Sequence, residues 1–331
     1  MSPLPPRAAT VPCAVCEGSS VVAIADRDRR GGLLHTVLCT FCGLVWVDPR
    51  PAPEAIARFY SSDYRRDYKG AFQPKRKHCH RETLRAIERV ERLLEVHRPS
   101  MRVLDVGAGA GFFAYAMRRK GIDIDGIEPN EAYAEFARTT LGLERIRTGA
   151  LQDLEARGQY DLITLNHVLE HLPDPRSALR HLHALLADGG QVLVEVPNIE
   201  ATYHAPGNIF HVGHLYWFNP NTLTALARQC GLDIVEMRVD GDTQHINVRL
   251  AKRGAPLAQR EAERLLAGNA DRVLAVRRAH TRLRHFLSPK PYARALGKIR
   301  RYIGEQRAIR SSADGRAICD ALCDRWLGRQ A

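Results

Sequence analysis

The sequence predicts an α/β chain: a doubly wound, largely parallel sheet preceded by a small metal-stapled module and followed by helices. Three observations lead there. Arg102–Glu128 reads as strand, glycine turn, helix, strand and acid. Short apolar runs then alternate with helical segments until a pair of strands closes the series near residue 251. Two CxxC pairs, Cys13-x2-Cys16 and Cys39-x2-Cys42, stand ahead of both with 22 residues between them.

Taken in order, residues 1–12 are a proline-rich leader. The spacer between the cysteine pairs alternates apolar and charged residues on either side of Gly31-Gly32, as two strands around a turn do. Residues 13–52 therefore read as a ribbon held by structural zinc on Cys13, Cys16, Cys39 and Cys42. Disulfides suit a reducing compartment poorly, and thioredoxin-like redox pairs would need a surrounding βαβ pattern. Residues 53–99 hold a helix from Pro53 to Tyr60, a polar linker or lid over Tyr64–His80 containing a lone Cys79, and a helix over Arg81–His97.

Residues 100–251 carry the sheet. Val103, Leu104 and Val106 form its first strand, and Gly107, Gly109 and Gly111 allow the backbone to turn sharply and approach a ligand. A helix follows over 112–120, then a strand over Ile122–Ile127 ending on Glu128, where a carboxylate can take both hydroxyls of a ribose. The stretch Gly109-x-Gly111-x-x-Ala114 also fits a dinucleotide fingerprint. S-adenosylmethionine (SAM) is favoured over it by Asp105, placed to hold an amino-acid ammonium, by Phe112-Phe113 after the turn, and by the lack of a base for a pyrophosphate.

VLDVGAGAG with a distal Glu closely resembles motif I of class I SAM-dependent methyltransferases. The resemblance implies a seven-stranded Rossmann-like sheet, parallel except for its last strand. It places SAM on Asp105, Gly107, Ala108, Gly109, Gly111, Phe112, Glu128 and Pro129, with Asp153 and Leu154 at the adenine. Asn166 and His167 would face the methionine end. Helix 131–141, strand 145–148 and strand 160–166 continue the alternation, and His171 reads as a packing or capping residue. Asp174-Pro175 opens the next helix and Asp188-Gly189-Gly190 ends it. Strand 191–196, helix 222–230 and strands 233–240 and 244–251, joined at Gly241-Asp242, complete the domain.

One insertion interrupts it. Asn198–Pro220 follows the fifth strand at the edge where open α/β sheets bind ligands, and it is rich in histidine and aromatic residues. CGLVWVDPRPAPEAIARFYSSDY resembles the zinc-binding region ahead of the methyltransferase domain in sugar C-methyltransferases and surface-glycan enzymes, where the module serves the substrate side. Those enzymes carry a Tyr and a His three residues apart before an aromatic pair. Here the positions are His211 and His214 before Trp217-Phe218, and Gly213 stands where they have an acid, which argues against C-methylation. The reading is methyl transfer to oxygen of a sugar, glycan or nucleotide-linked acceptor. His214 is the general base with His211 as second choice, and Tyr203, Tyr216 and Trp217 line the substrate. A metal on His211 and His214 lacks a carboxylate nearby in sequence.

The charge is uneven. The chain holds 49 Lys+Arg and 37 Asp+Glu; residues 251–331 take 19 and 7 of them, leaving 30 of each before. The basic helical region 252–331 suits an anionic surface or simply a solvated face. Its apolar stripes are Tyr292, Leu296, Ile299 and Ile303, then Cys319, Leu322, Cys323 and Trp326. An RNA methyltransferase gripping through ribbon and tail is the enzyme alternative, weakened by the lack of aromatic–basic interleaving around the cleft. A non-catalytic SAM-binding scaffold is the other. The N-terminus lacks an apolar h-region and no run has the length of a membrane span, so the expected compartment is the cytoplasm.

Overall fold

The computed structural model describes residues 11–58, 73–239, 244–252 and 255–329. Most of the expected leader, most of the expected lid and the Gly241-Asp242 joint lie outside them. The strands are β1 (Val21–Arg27), β2 (Leu33–Cys39), β3 (Val45–Val47), β4 (Val103–Val106), β5 (Asp125–Glu128), β6 (Ile146–Thr148), β7 (Tyr160–Asn166), β8 (Leu186–Pro197), β9 (Tyr216–Trp217), β10 (Leu232–Arg238) and β11 (His245–Lys252). They make a seven-stranded sheet in the order β10-β11-β8-β7-β4-β5-β6 and a four-stranded sheet β1-β2-β3-β9. β4, β5 and β6 pair in parallel, whereas β11 is antiparallel to both β8 and β10. That is the seven-stranded sheet with a reversed last strand that the sequence led one to expect.

The chain divides into two compact units. The first comprises residues 1–56, 156–158 and 165–291; the second 57–155, 159–164 and 292–331.

In the first unit the ribbon is larger than its own sequence. β9 comes from the insertion and pairs antiparallel with β3, Val45 opposite Trp217 and Trp46 opposite Tyr216. Leu34, Leu38, Val45, Val47, Phe210, Trp217, Ala270 and Val273 share one apolar cluster. Helix Asn269–Ala279, part of the supposed appendage, therefore belongs to the ribbon core. Asn269 fastens it: its Nδ2 donates to the Cys42 carbonyl at 2.7 Å, and its Oδ1 accepts from Asn219 at 2.8 Å. The turn at Asp188-Gly189-Gly190 does not end a helix as expected. Helix Pro175–Leu185 has already stopped, Leu186 is extended (ψ 135°), and the three residues lie within β8.

In the second unit, helix Arg76–Leu94 begins earlier than its apolar pattern suggested, inside the segment read as lid. It packs with helix Gly315–Leu327, whose Ile318, Cys319, Leu322, Cys323 and Trp326 are all buried. Asp314 caps that helix by accepting from Ala317 N–H at 2.8 Å. The indole of Trp326 donates to Glu91 at 2.9 Å, and Asp320 takes hydrogen bonds from Tyr115 and Arg119. Cys79 is not alone: it lies against Cys319, and a side chain at Gly315 would meet its sulfur at 2.8 Å. Truncating Trp326 to Ala would cost about 3–5 kcal/mol by the usual measure of a filled core site.

Candidate functional site

The second unit builds a glycine–carboxylate edge on one short stretch. Gly107, Gly109 and Gly111 all have φ between +58° and +80°, a region open to glycine. Gly111 caps helix Phe112–Arg119 in the left-handed conformation, and a Cβ there would come within 2.6 Å of Leu143 and 2.8 Å of Ala137. Glu128, at the end of β5, is buried, with both oxygens held by backbone: Oε2 accepts from Gly109 N–H at 2.8 Å and Oε1 from Asn130 N–H at 3.0 Å. A carboxylate at the tip of this strand can accept hydrogen bonds from ligand hydroxyls. Asp105 is buried and accepts from Thr164 Oγ1 at 2.6 Å. Thr164 and Asn130 were not singled out by sequence; their roles are to aim the two carboxylates.

The remaining residues expected on that side are placed as follows. Phe112 is buried with its ring centroid 6.1 Å from that of Phe136, so it serves packing. Ala108 and Leu154 are buried and Pro129 is exposed. Asp153 accepts from Ala150 N–H at 2.7 Å, closing the turn over Leu151–Asp153.

The first unit assembles a histidine–carboxylate cluster from four separated stretches. His167, at φ +57° just past β7, lies between two acids: Nδ1 is 3.0 Å from Glu170 Oε1 and Nε2 is 3.0 Å from Glu195 Oε1. His245 at the start of β11 is 3.4 Å from the same Glu195 oxygen. Burial works against the charge on His167, but hydrogen bonds to Glu170 and Glu195 outweigh it and raise its pKa to about 9. Asn166 precedes this clamp half-buried, and His167 is committed to the two acids rather than open to a cofactor.

The insertion supplies the rest. His171 Nδ1 bonds the Gly213 carbonyl, and its ring stands edge-on to His214 at 4.9 Å. His211 Nδ1 accepts from Gly213 N–H at 2.9 Å, which uses its lone pair and places the proton on Nε2. Burial drives the pKa of His211 down to about 3 and that of His214 well below its ordinary value, with neighbouring cationic groups adding to both. His214 Nδ1 and Glu170 Oε2 are buried with no hydrogen-bond partner among the described residues. Glu170, His171 and His214 each offer a ligand atom, all within 4.8 Å of one another, as do His167, Glu195 and His245. The carboxylate that sequence spacing denied to His214 is therefore Glu170. Its one signal was an acid set among apolar residues in VLEHL.

Two of the expected substrate residues are core instead. Trp217 packs on Phe210 at 5.1 Å, and Tyr216 is buried under Arg50 with its hydroxyl donating to Pro173 O at 3.2 Å. Pairing with β3 turned both inward. Tyr203 stands edge-on to His204 at 5.0 Å.

The four ribbon cysteines meet as expected. Their sulfurs lie within 4.8 Å of one another, with Cys13 to Cys42 at 3.3 Å and Cys16 to Cys39 at 3.4 Å, far longer than a disulfide bond. Cys42 N–H points at Cys39 Sγ at 3.5 Å, and Arg176 donates to the Ala14 and Val15 carbonyls of the first knuckle. Hydrogen bonds from the other thiols, Cys13 first, hold the Cys39 thiol well below its ordinary value. Four converging sulfurs suit a tetrahedral thiophilic ion with no open position.

With this geometry in place, residues 76–237 match the family profile described as methyltransferase domain. This segment is similar to a methyltransferase domain. The chain is 36% identical over 157 residues to the ubiquinone biosynthesis O-methyltransferase of Bordetella avium, covering 41% of this chain and 64% of that one. It is 36% identical over 107 residues to the protein of the same name in Pseudomonas aeruginosa, covering 29% and 44%. The chain thus spans less than two thirds of the length of these relatives. The solved structure of the Burkholderia thailandensis 1,6-didemethyltoxoflavin N1-methyltransferase resembles it over 64% of this chain and 95% of its own, at 22% identity and TM-score 0.48.

Proposed function

We propose that the protein transfers a methyl group from SAM to an oxygen of a small-molecule acceptor, and that His214 takes the acceptor's proton. The observation that carries the reading is the methyltransferase-domain match over 76–237 with Glu128 and the glycine turn intact within it. SAM supplies an activated methyl, so the residues' task is alignment and proton removal. His211 cannot share the second task while Gly213 N–H holds its Nδ1. His214, neutral by burial and with an unused nitrogen, can.

A strongly depressed imidazole is a weak base, best matched to an acidic hydroxyl such as a phenol, whose pKa is about 10. That agrees with the oxygen transfer named in both relatives. A sugar or glycan hydroxyl is the second reading, supported by the ribbon sheet reaching into the histidine insertion through β9. Methyl-labelled SAM with panels of phenols and of nucleotide sugars decides between them. Labelling of neither, with SAM bound, would leave only the scaffold reading; dependence on an added divalent cation would give the acceptor's deprotonation to a metal on Glu170, His171 and His214. We further infer that Cys13, Cys16, Cys39 and Cys42 hold a structural zinc, whose chemistry is a cross-link for the ribbon. Thiolate ligation and eight free cysteines fit the cytoplasm.

A further inference from the structure

The two apolar stripes beyond residue 251 have opposite fates. Cys319, Leu322, Cys323 and Trp326 are buried, whereas Tyr292, Leu296, Ile299, Tyr302 and Ile303 are between 47% and 64% exposed. Spacings of 4, 3 and 4 put Tyr292, Leu296, Ile299 and Ile303 on one face of helix Lys290–Ser311. That helix carries Lys290, Arg294, Lys298, Arg300, Arg301, Arg307 and Arg310 against one acid, Glu305. Glu305 is buried and paired with Arg81, and Arg76 donates to the carbonyls of Ile309 and Ser312. The C-terminal turns are thus fastened to helix Arg76–Leu94, and the exposed stripe lies on the turns before them. No helix among the described residues is long and apolar enough to cross a membrane.

We propose that this face docks onto an anionic lipid bilayer, lying in the headgroup layer with its apolar side chains inserted. Charge decides among the occupants. A second copy of the helix would bring its seven cations against seven others, which opposes self-pairing. A nucleic acid would take the cations and leave the apolar row in water. An anionic bilayer satisfies both, since it offers phosphates at the surface and hydrocarbon beneath, and long Arg and Lys stems can reach upward from a half-sunk helix. Arg300 and Arg307 flank the row at i−3 and i+4 from Ile303, where such snorkelling is needed.

The test is sedimentation of the full chain with vesicles of phosphatidylcholine alone or with about one third phosphatidylglycerol. Binding is expected to the anionic vesicles only and to weaken with salt. The exposed triple substitution Leu296→Ser, Ile299→Ser, Ile303→Ser should lower it by about tenfold or more, as should Arg300→Glu with Arg307→Glu. Circular dichroism and SAM affinity should be unchanged in both. Four results overturn the proposal: no binding to anionic vesicles, binding indifferent to the serine variant, salt-sensitive RNA binding without vesicle binding, or a wild-type dimer abolished by the serine variant without vesicle binding.

Discussion

The glycine edge around Glu128 and the histidine cluster around His214 illustrate two ways of building a site. Apart from Thr164, whose hydroxyl bonds Asp105, the first lies within 26 residues of chain, from Asp105 to Asn130, and backbone N–H groups face the Glu128 carboxylate. The second draws on the end of β7, β8, the insertion and β11, and depends on which histidines an acid reaches. His167 touches two carboxylates and is pushed to about 9, while His211 is pushed to about 3 and His214 lies well below its ordinary value. Imidazoles of one cluster thus differ in charge at neutral pH: His167 is cationic, His211 and His214 neutral. Residue type says little about charge there; the partner within 3 Å says nearly everything.

The largest expected effect separates the two regions by readout. His214→Ala should lower the methyl-transfer rate by about 10²–10⁴-fold, the worth of positioned proton transfer, with SAM affinity within about twofold of wild type. Because burial depresses this imidazole, the rate should hold as pH falls through 6.5 and drop only well below it. Full activity in the variant would remove His214 from the mechanism.

Stripping the metal proposed for the ribbon cysteines with a chelator comes next. β9 leans on β3, so the histidine insertion should loosen and transfer fall by about 10²-fold or more, while SAM still binds the glycine edge. Equal loss of both activities would deny that the ribbon serves one region only.

Glu128→Ala should weaken SAM by about 1.5–3 kcal/mol in calorimetry, the size of charge-assisted hydrogen bonds. Unchanged SAM affinity in this variant, or tight NAD binding in the wild type, would sink the cofactor assignment.

The smallest effect concerns charge within the cluster. Glu195→Gln removes one of the two acids at His167, so its pKa, followed by NMR, should fall from about 9 toward the ordinary histidine value. Stability shifts accordingly. A histidine raised above its unfolded value stabilises fully below pH 6.5 and loses that contribution as pH rises to about 9, so the wild type should lose stability across this window and the variant less. His211 has the opposite sign: held neutral, it costs stability as pH falls from 6.5 toward 3. An unmoved His167 titration would mean Glu170 alone sets its charge.

Sequence by itself determined what is local. The glycine turn, the place of Glu128 at the end of β5, the two cysteine knuckles and, apart from β9, the order of strands and helices over residues 100–251 were legible, because backbone geometry and short spacings act within a few residues. Tertiary structure decided what depends on partners far along the chain. It turned Tyr216 and Trp217 inward by pairing β9 with β3, and it brought Glu170 to His214 and Glu195 to His167 and His245. It also buried one C-terminal stripe and left the other in solvent, although both have the same 3.6-residue period. Periodicity announces an apolar face, but only the fold supplies, or withholds, the surface that covers it.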